Sequence, residues 1–169
     1  KQFGLILGEI AKSYSTDFAR RAMADIAFED THNNYYLIDV KTHRLNTSFN
    51  MPNLTSVERI TRLYEDDKNV FLVLWVSYDV QDVHVTVDNV QFFPIEVLDW
   101  DCLTIGALGW GQIQIANANR LILKSDYTRK QWMLDLCEHV LAFYPREIAK
   151  IQERIIHFER VKAFWQAKS

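Results

Sequence analysis

Two strand-like segments flank the dipeptide Asn33-Asn34 and constrain the fold more than any other feature of this chain. The first covers residues 24–28, and the second begins at Tyr35 and runs to Lys41. Asparagine tolerates the backbone conformations of tight hairpin turns, so this arrangement predicts two antiparallel strands that lie side by side. The chain is therefore expected to build a β-sheet around this hairpin.

Three charged residues gather at one end of the predicted hairpin. Successive side chains of a strand point to opposite faces, so Asp39 and Lys41 share one side while Val40 faces the other. Asp25, on the preceding strand, would lie beside Asp39. Mg²⁺ takes oxygen ligands and is commonly held by one or two carboxylates together with waters and a substrate phosphate. Asp25 and Asp39 are thus predicted to bind Mg²⁺, and Lys41 to assist the attacking water and stabilise developing charge.

A further acidic candidate comes before the hairpin. Helical spacing in residues 3–10 puts Glu9 beside Leu5 and Ile6, near the buried face of a predicted helix. A carboxylate in that position would supply a third metal ligand. Glu9 is therefore the fourth predicted catalytic residue.

With these residues the chain resembles the PD-(D/E)xK nuclease superfamily, and within it the type II restriction endonucleases. Asp25 matches the first acid, Asp39 and Lys41 match the D-x-K half, and Glu9 matches the acid of the preceding helix. Ala24 stands where the name of the motif has proline. The resemblance implies an α/β fold with a mixed central sheet flanked by helices, Mg²⁺ as cofactor, and sequence-specific hydrolysis of double-stranded DNA.

A second resemblance covers most of the chain. The order of D-x-K strand, loop, helix, apolar strand, Gln-x-Gln strand and long terminal helix is similar to that of a blunt-cutting restriction endonuclease. Polar residues after the D-x-K strand and along the Gln-x-Gln strand would contact bases or phosphates. The predicted DNA-binding residues are His43, Arg44, Asn46, Thr47, Asn50, Gln112, Gln114, Asn117 and Arg129.

Capping signals and apolar spacing locate the other elements. Residues 42–53 are predicted as a loop, residues 54–66 as a helix with a capping box at Thr55–Glu58, and residues 70–78 as a buried strand. Thr128 and Gln131 predict the start of a C-terminal helix, which Pro145 would kink or end.

An apolar stripe continues from Ile148 to Trp165 in this terminal segment. It indicates either a homodimer interface or packing on the protein's own core. A two-fold dimer would suit symmetric cleavage of a palindromic DNA site.

Composition sets broader limits. A chain of 169 residues with 49% hydrophobic content predicts one globular domain over residues 1–169, with a helical extension from about residue 128. No apolar run is long enough to span a bilayer, and the two cysteines suit a reducing compartment, so a cytoplasmic protein with no membrane partner is expected. The net charge of −3 is unusual for a DNA-binding protein. Two alternatives stay open: a repair or junction-resolving nuclease of the same superfamily, and a catalytically silent DNA-binding module of the same fold.

Overall fold

The computed structural model describes residues 8–15, 24–45, 47 and 51–168. Their strands are β1 (Ala11–Ser15), β2 (Ile26–Asp30), β3 (Tyr35–Arg44), β4 (Asn53–Ser56), β5 (Asn69–Gln81), β6 (His84–Pro94), β7 (Leu103–Gly106) and β8 (Gln112–Ile115). The α-helices are α1 (Val57–Leu63) and α2 (Arg129–Gln166), and short 3₁₀ turns cover Gly8–Ile10, Ile95–Val97 and Trp100–Cys102. The protein is thus of mixed α/β class, as predicted.

Five strands form the main sheet in the order β1-β2-β3-β5-β6. β3 and β5 are parallel, and the other neighbouring pairs are antiparallel. A parallel pair needs a crossover connection, which here contains β4 and α1. β4 pairs instead with β8 in a second, three-stranded sheet of order β4-β8-β7. The predicted mixed central sheet is confirmed.

The predicted hairpin is present as β2 and β3, with its turn at residues 31–34. Asn33 has a φ of 61°, in the left-handed region that asparagine tolerates better than most residues. The Asp30 carboxylate accepts the side-chain amide of Asn34 at 2.9 Å and the backbone N–H groups of His32 and Asn34, each at 2.8 Å. The Asn34 side-chain bond, followed by these backbone bonds, lowers the pKa of Asp30 to about 2 against the opposing effect of burial. Asp30 therefore fixes the turn.

One face of the main sheet packs into the core. Leu37 of β3 and Phe71 and Val73 of β5 are on this face, and they join Ile113 of β8 in a single buried cluster. Trp132 of α2 completes the cluster, where its indole N–H donates to the Leu98 carbonyl at 3.0 Å. The core therefore lies between the main sheet, the second sheet and the first part of α2.

Several predicted boundaries were wrong because tertiary pairing overrode local signals. The predicted loop starts too early, since β3 continues to Arg44 alongside β5. The predicted helix over residues 54–66 is only Val57–Leu63, since the residues before it pair with β8. Its N-cap is Ser56, which accepts the N–H of Arg59 at 3.2 Å, rather than Thr55.

α2 begins at the predicted capping box, where the Thr128 side chain accepts the N–H of Gln131. Pro145 does not end it, because the helix continues without interruption to Gln166. Most of the side chains after Pro145 are exposed. In the described part of the chain, no helix has the length and apolar character required to cross a membrane.

Candidate metal centre

Asp25 is held against β3 by two backbone contacts. Its N–H donates to the carbonyl of Ile38 at 2.9 Å, and its carboxylate Oδ2 accepts the N–H of Val40 at 2.7 Å. Ile26 is paired with Ile38, so position 25 falls opposite position 39 in the antiparallel register. The hairpin therefore brings Asp25 and Asp39 side by side, as predicted from the sequence.

Asp39 lies where the apolar face of β3 becomes polar. It follows Leu37 on the core face and is only 5% exposed. Lys41, two residues later on the same face, places Nζ 2.8 Å from Asp39 Oδ2. Among the described residues, this ion pair is the contact recorded for the buried Oδ2, which accepts no other hydrogen bond. A metal ion bound by Asp39 would therefore share this carboxylate with the Lys41 ammonium.

The electrostatics of Asp39 favour a cation. Burial is the largest influence on the pKa of Asp39 and raises it to about 6, although the Lys41 ammonium lowers it and the Asp25 carboxylate raises it further. A group in this state is costly to ionise without a neighbouring positive charge. A divalent cation between Asp25 and Asp39 would supply that charge, and two carboxylates suit Mg²⁺, which keeps several waters.

Glu9 lies apart from these residues. It belongs to an exposed 3₁₀ turn, Gly8–Ile10, and residues 3–7 of the predicted helix lie outside the described residues. β1 places Ala11 opposite Asp30, at the end of β2 remote from Asp25. With about 3.3 Å of rise per strand residue, that is roughly 15 Å from the two aspartates. Within the described ranges, no group of three or more potential metal ligands occurs.

His43 continues the face of Asp39 and Lys41 but is buried, with 1% exposed. Its Nε2 lies 2.8 Å from Oδ1 of Asn119, and its ring stacks on Trp75 at 5.8 Å. Asn119 also donates from its side chain to the carbonyl of Thr47 at 3.3 Å. The structure therefore places His43 in the packing beneath the candidate site rather than on a DNA-accessible surface. The contact between positions 43 and 119 has no sequence signal.

Arg44 points away from the core face and is exposed, with Nη2 3.3 Å from the carbonyl of Val80. Thr47 is partly buried and donates its hydroxyl to the Arg44 carbonyl at 2.9 Å. Asn46 and Asn50, the other predicted DNA contacts of this segment, lie outside the described residues. Arg44 is thus an accessible cation on the strand that carries Asp39 and Lys41.

Gln112 and Gln114 share the outward face of β8, opposite the buried Ile113. Gln114 donates from Nε2 to Oδ1 of Asn53 on the neighbouring β4 at 2.6 Å. Asn53 was not among the predicted site residues, because its pairing with Gln114 comes from the second sheet. Asn117 is exposed in the loop that follows, and its Oδ1 accepts the N–H at position 119. Gln112 and Gln114 are thus partly buried in the second sheet, whereas Asn117 is exposed.

Arg129 is engaged in packing at the start of α2. Its Nε donates to Oε1 of the buried Glu96 at 2.7 Å, and its Nη1 donates to the Asp67 carbonyl at 3.1 Å. The guanidinium also lies 4.3 Å from the ring centroid of Tyr64. These partners lie near the beginning of β5, whereas Asp39 pairs with Val73 further along it. The structure thus does not bring Arg129 to the metal centre.

Comparison with known proteins gives no assignment: no protein-family model matches this chain, and no curated protein matches it.

Proposed function

We propose that this protein is a Mg²⁺-dependent endonuclease that hydrolyses double-stranded DNA, of the PD-(D/E)xK restriction type. The observation that carries the proposal is the juxtaposition of Asp25, immediately before β2, and Asp39 on β3, with the Lys41 ammonium 2.8 Å from the second carboxylate. The order of strand, helix, parallel strand, Gln-x-Gln strand and long helix also agrees with the resemblance.

The proposed reaction is hydrolysis of a phosphodiester. The oxygen of a water forms a bond to phosphorus as the bond from phosphorus to one sugar oxygen breaks, and the departing sugar oxygen gains a proton. Bound Mg²⁺ supplies Lewis-acid polarisation of the phosphate and a more acidic water. Asp25 and Asp39 would hold it, while the Lys41 ammonium orients the attacking water and stabilises negative charge on the phosphate.

Accessible polar groups support a nucleic-acid substrate. Arg44 extends from β3 as an exposed cation, and the amides of Gln112, Gln114 and Asn117 can donate to and accept from base edges. The net charge of −3 requires that phosphate contacts come from local cations rather than from an overall basic surface. Cytoplasmic DNA would be the substrate of an enzyme of this kind, and action as a homodimer would allow both strands of a palindromic site to be cut.

A catalytically silent module is the second candidate, and one observation favours it. The Asp25 carboxylate already has a structural task, because it accepts the Val40 N–H where β2 ends, and Lys41 already has a partner in Asp39. In that case the three charged side chains would stabilise the hairpin without metal. A repair or junction-resolving nuclease would share the chemistry of the main proposal and differ in its substrate.

Incubation of the purified protein with long duplex DNA, with and without Mg²⁺, separates these functions. The proposal predicts discrete fragments whose formation requires Mg²⁺. Asp39→Asn and Lys41→Met should each lower the cleavage rate at least a hundredfold, as removal of a key charge-stabilising group does. Glu65→Gln and Lys68→Met change exposed residues of the same types and should leave cleavage unchanged.

Random fragments, or cleavage confined to branched DNA, would contradict the restriction type and indicate another nuclease of the superfamily. Intact DNA under all conditions, with Mg²⁺ giving no rise in the melting temperature of the folded protein, would establish the silent module.

A further inference from the structure

The outer side of α2 carries an uncovered seven-residue repeat. Apolar side chains recur at alternating intervals of three and four residues and are between 36% and 67% exposed. We name this set the outer seam: Leu141, Tyr144, Ile148, Ile151, Ile155 and Phe158. Alternation of three and four over several turns is the pattern of a left-handed two-helix coiled coil.

The outer seam is separate from the stripe that packs α2 onto its own domain. The inner stripe uses Trp132, Leu136 and Phe143, all of which are buried. At one end of the outer seam, Tyr144 donates its hydroxyl to the Trp110 carbonyl at 2.7 Å. The later part of the seam is at least half exposed and lines a shallow groove of about 410 Å³ together with Arg154, Glu159 and Lys162. One helix thus carries two apolar faces, of which the inner one is buried and the outer one is largely exposed.

We propose that the outer seam pairs with the same seam of a second copy, as an antiparallel coiled coil. The two-fold axis would cross α2 between residues 149 and 150, so that Ile148 of one copy packs on Ile151 of the other. This inference does not depend on the proposed nuclease activity. The apolar repeat on α2 would pair in the same way whether or not the protein binds DNA.

The antiparallel register matches apolar residues along nearly the whole helix. It sets Tyr144 against Ile155 of the second copy, and Leu141 against Phe158. The same register extends the repeat outward by a further layer, because Leu134 then faces Trp165, and these two side chains are 57% and 61% exposed. Every large exposed residue of the seam therefore finds an apolar partner.

Charge complementarity favours the antiparallel direction over the parallel one. Antiparallel pairing places Glu147, which also pairs with Lys150 of its own helix at 2.7 Å, on the same side as Arg154 of the second copy, and it places Lys162 opposite Cys137. A parallel pair would instead set Lys162 of one copy against Lys162 of the other, so that two like charges would face each other. One rim contact opposes the arrangement, because Glu138 would approach Glu159, but exposed charge pairs contribute little.

The area agrees with a stable dimer. α2 is 38 residues long, and a helix of this length extends about 57 Å. Eight half-exposed apolar side chains would bury on the order of 800 Å² per copy, which is the usual size of a specific interface.

Sedimentation velocity of the full chain, without DNA or metal, tests the association. We expect a dimer for the wild type. Ile155→Glu should weaken self-association roughly a hundredfold or more, because each dimer would then bury two unpaired carboxylates. The matched control is Ile156→Glu, since Ile156 is 54% exposed but lies outside the seam. A monomeric wild type, or equal effects of the two substitutions, would overturn the proposal.

A cross-link tests the direction. Cys137 is exposed, and the antiparallel register places it opposite Lys162 of the second copy. A short maleimide–succinimide reagent should therefore join Cys137 to Lys162 between subunits, as read by mass spectrometry, and Lys162→Arg should abolish the product. Mild oxidation that joins Cys137 to Cys137 instead would show a parallel pair and refute the antiparallel register.

Discussion

The carboxylate of Asp25 accepts the backbone N–H of Val40 at 2.7 Å, immediately beside the peptide of Asp39. The first acid of the candidate site is therefore also the hydrogen-bond acceptor for a backbone N–H of β3 at the position where its pairing with β2 ends. One carboxylate oxygen serves this hydrogen bond, so metal binding and local stability are coupled at a single residue. Substitutions that preserve or remove the acceptor separate the two tasks.

Asp25→Asn and Asp25→Ala should differ in stability but not in activity. Asparagine keeps an oxygen that can accept the Val40 N–H, whereas alanine loses a hydrogen bond worth about 1 kcal/mol at this exposed position. Both remove the negative charge that would bind Mg²⁺, so both should abolish cleavage. Urea denaturation measures the first effect and duplex cleavage the second. Full activity of Asp25→Asn would exclude Asp25 as a charged metal ligand.

The stability of the metal-free protein should depend on pH through Asp39. Burial raises the pKa of Asp39 in the folded state from 3.8 to about 6, so this group stabilises the fold below pH 3.8 and that contribution is lost as pH rises through 6. This pKa difference between the folded and unfolded states corresponds to roughly 3 kcal/mol in the free energy of unfolding. Asp39→Asn cannot ionise, so the mutant should gain stability relative to the wild type between pH 4 and 8.

Urea denaturation of both proteins across this pH range, with a chelator present, measures the difference. If the free energy of unfolding changed with pH in the same way for wild type and Asp39→Asn, the pKa of Asp39 would not be raised in the folded protein. Glu65→Gln provides the comparison at an exposed carboxylate.

Arg129→Ala should destabilise the fold without a direct effect on DNA. The guanidinium is the ion-pair partner of the buried Glu96 at 2.7 Å, and removal of one member of such a pair costs about 3–5 kcal/mol. Arg120 is an exposed arginine, and Arg120→Ala should cost less than about 0.5 kcal/mol. Thermal and urea unfolding measure these costs. If Arg129→Ala were fully stable but weak in DNA binding, Arg129 would be a DNA contact.

The sequence was sufficient to predict features that depend on residues close together along the chain. The turn at Asn33, the shared face of Asp39 and Lys41, and the start of α2 at Thr128 all follow from local periodicity or capping. The proximity of Asp25 also followed, because a short turn fixes the register of the two strands. Local rules were therefore sufficient for the central part of the candidate site.

Features set by distant contacts could not be predicted. His43 has the alternation of an accessible site residue, but Asn119 and Trp75 bury it. Arg129 resembles a surface cation in the sequence, and only the fold reveals the buried acid beside it. Likewise, the start of the predicted helix before Val57 was wrong because those residues pair with β8.

The hairpin formed by β2 and β3 contains both acids and the lysine, whereas the strand that covers Asp39 on its other side, β5, lies more than thirty residues along the chain. Contacts of short sequence separation form faster than those that close long loops. During folding, the three charged groups would therefore assemble first in water, where Asp39 is an ordinary acid. The raised pKa of Asp39 would then develop only as β5 and the rest of the core bury the carboxylate.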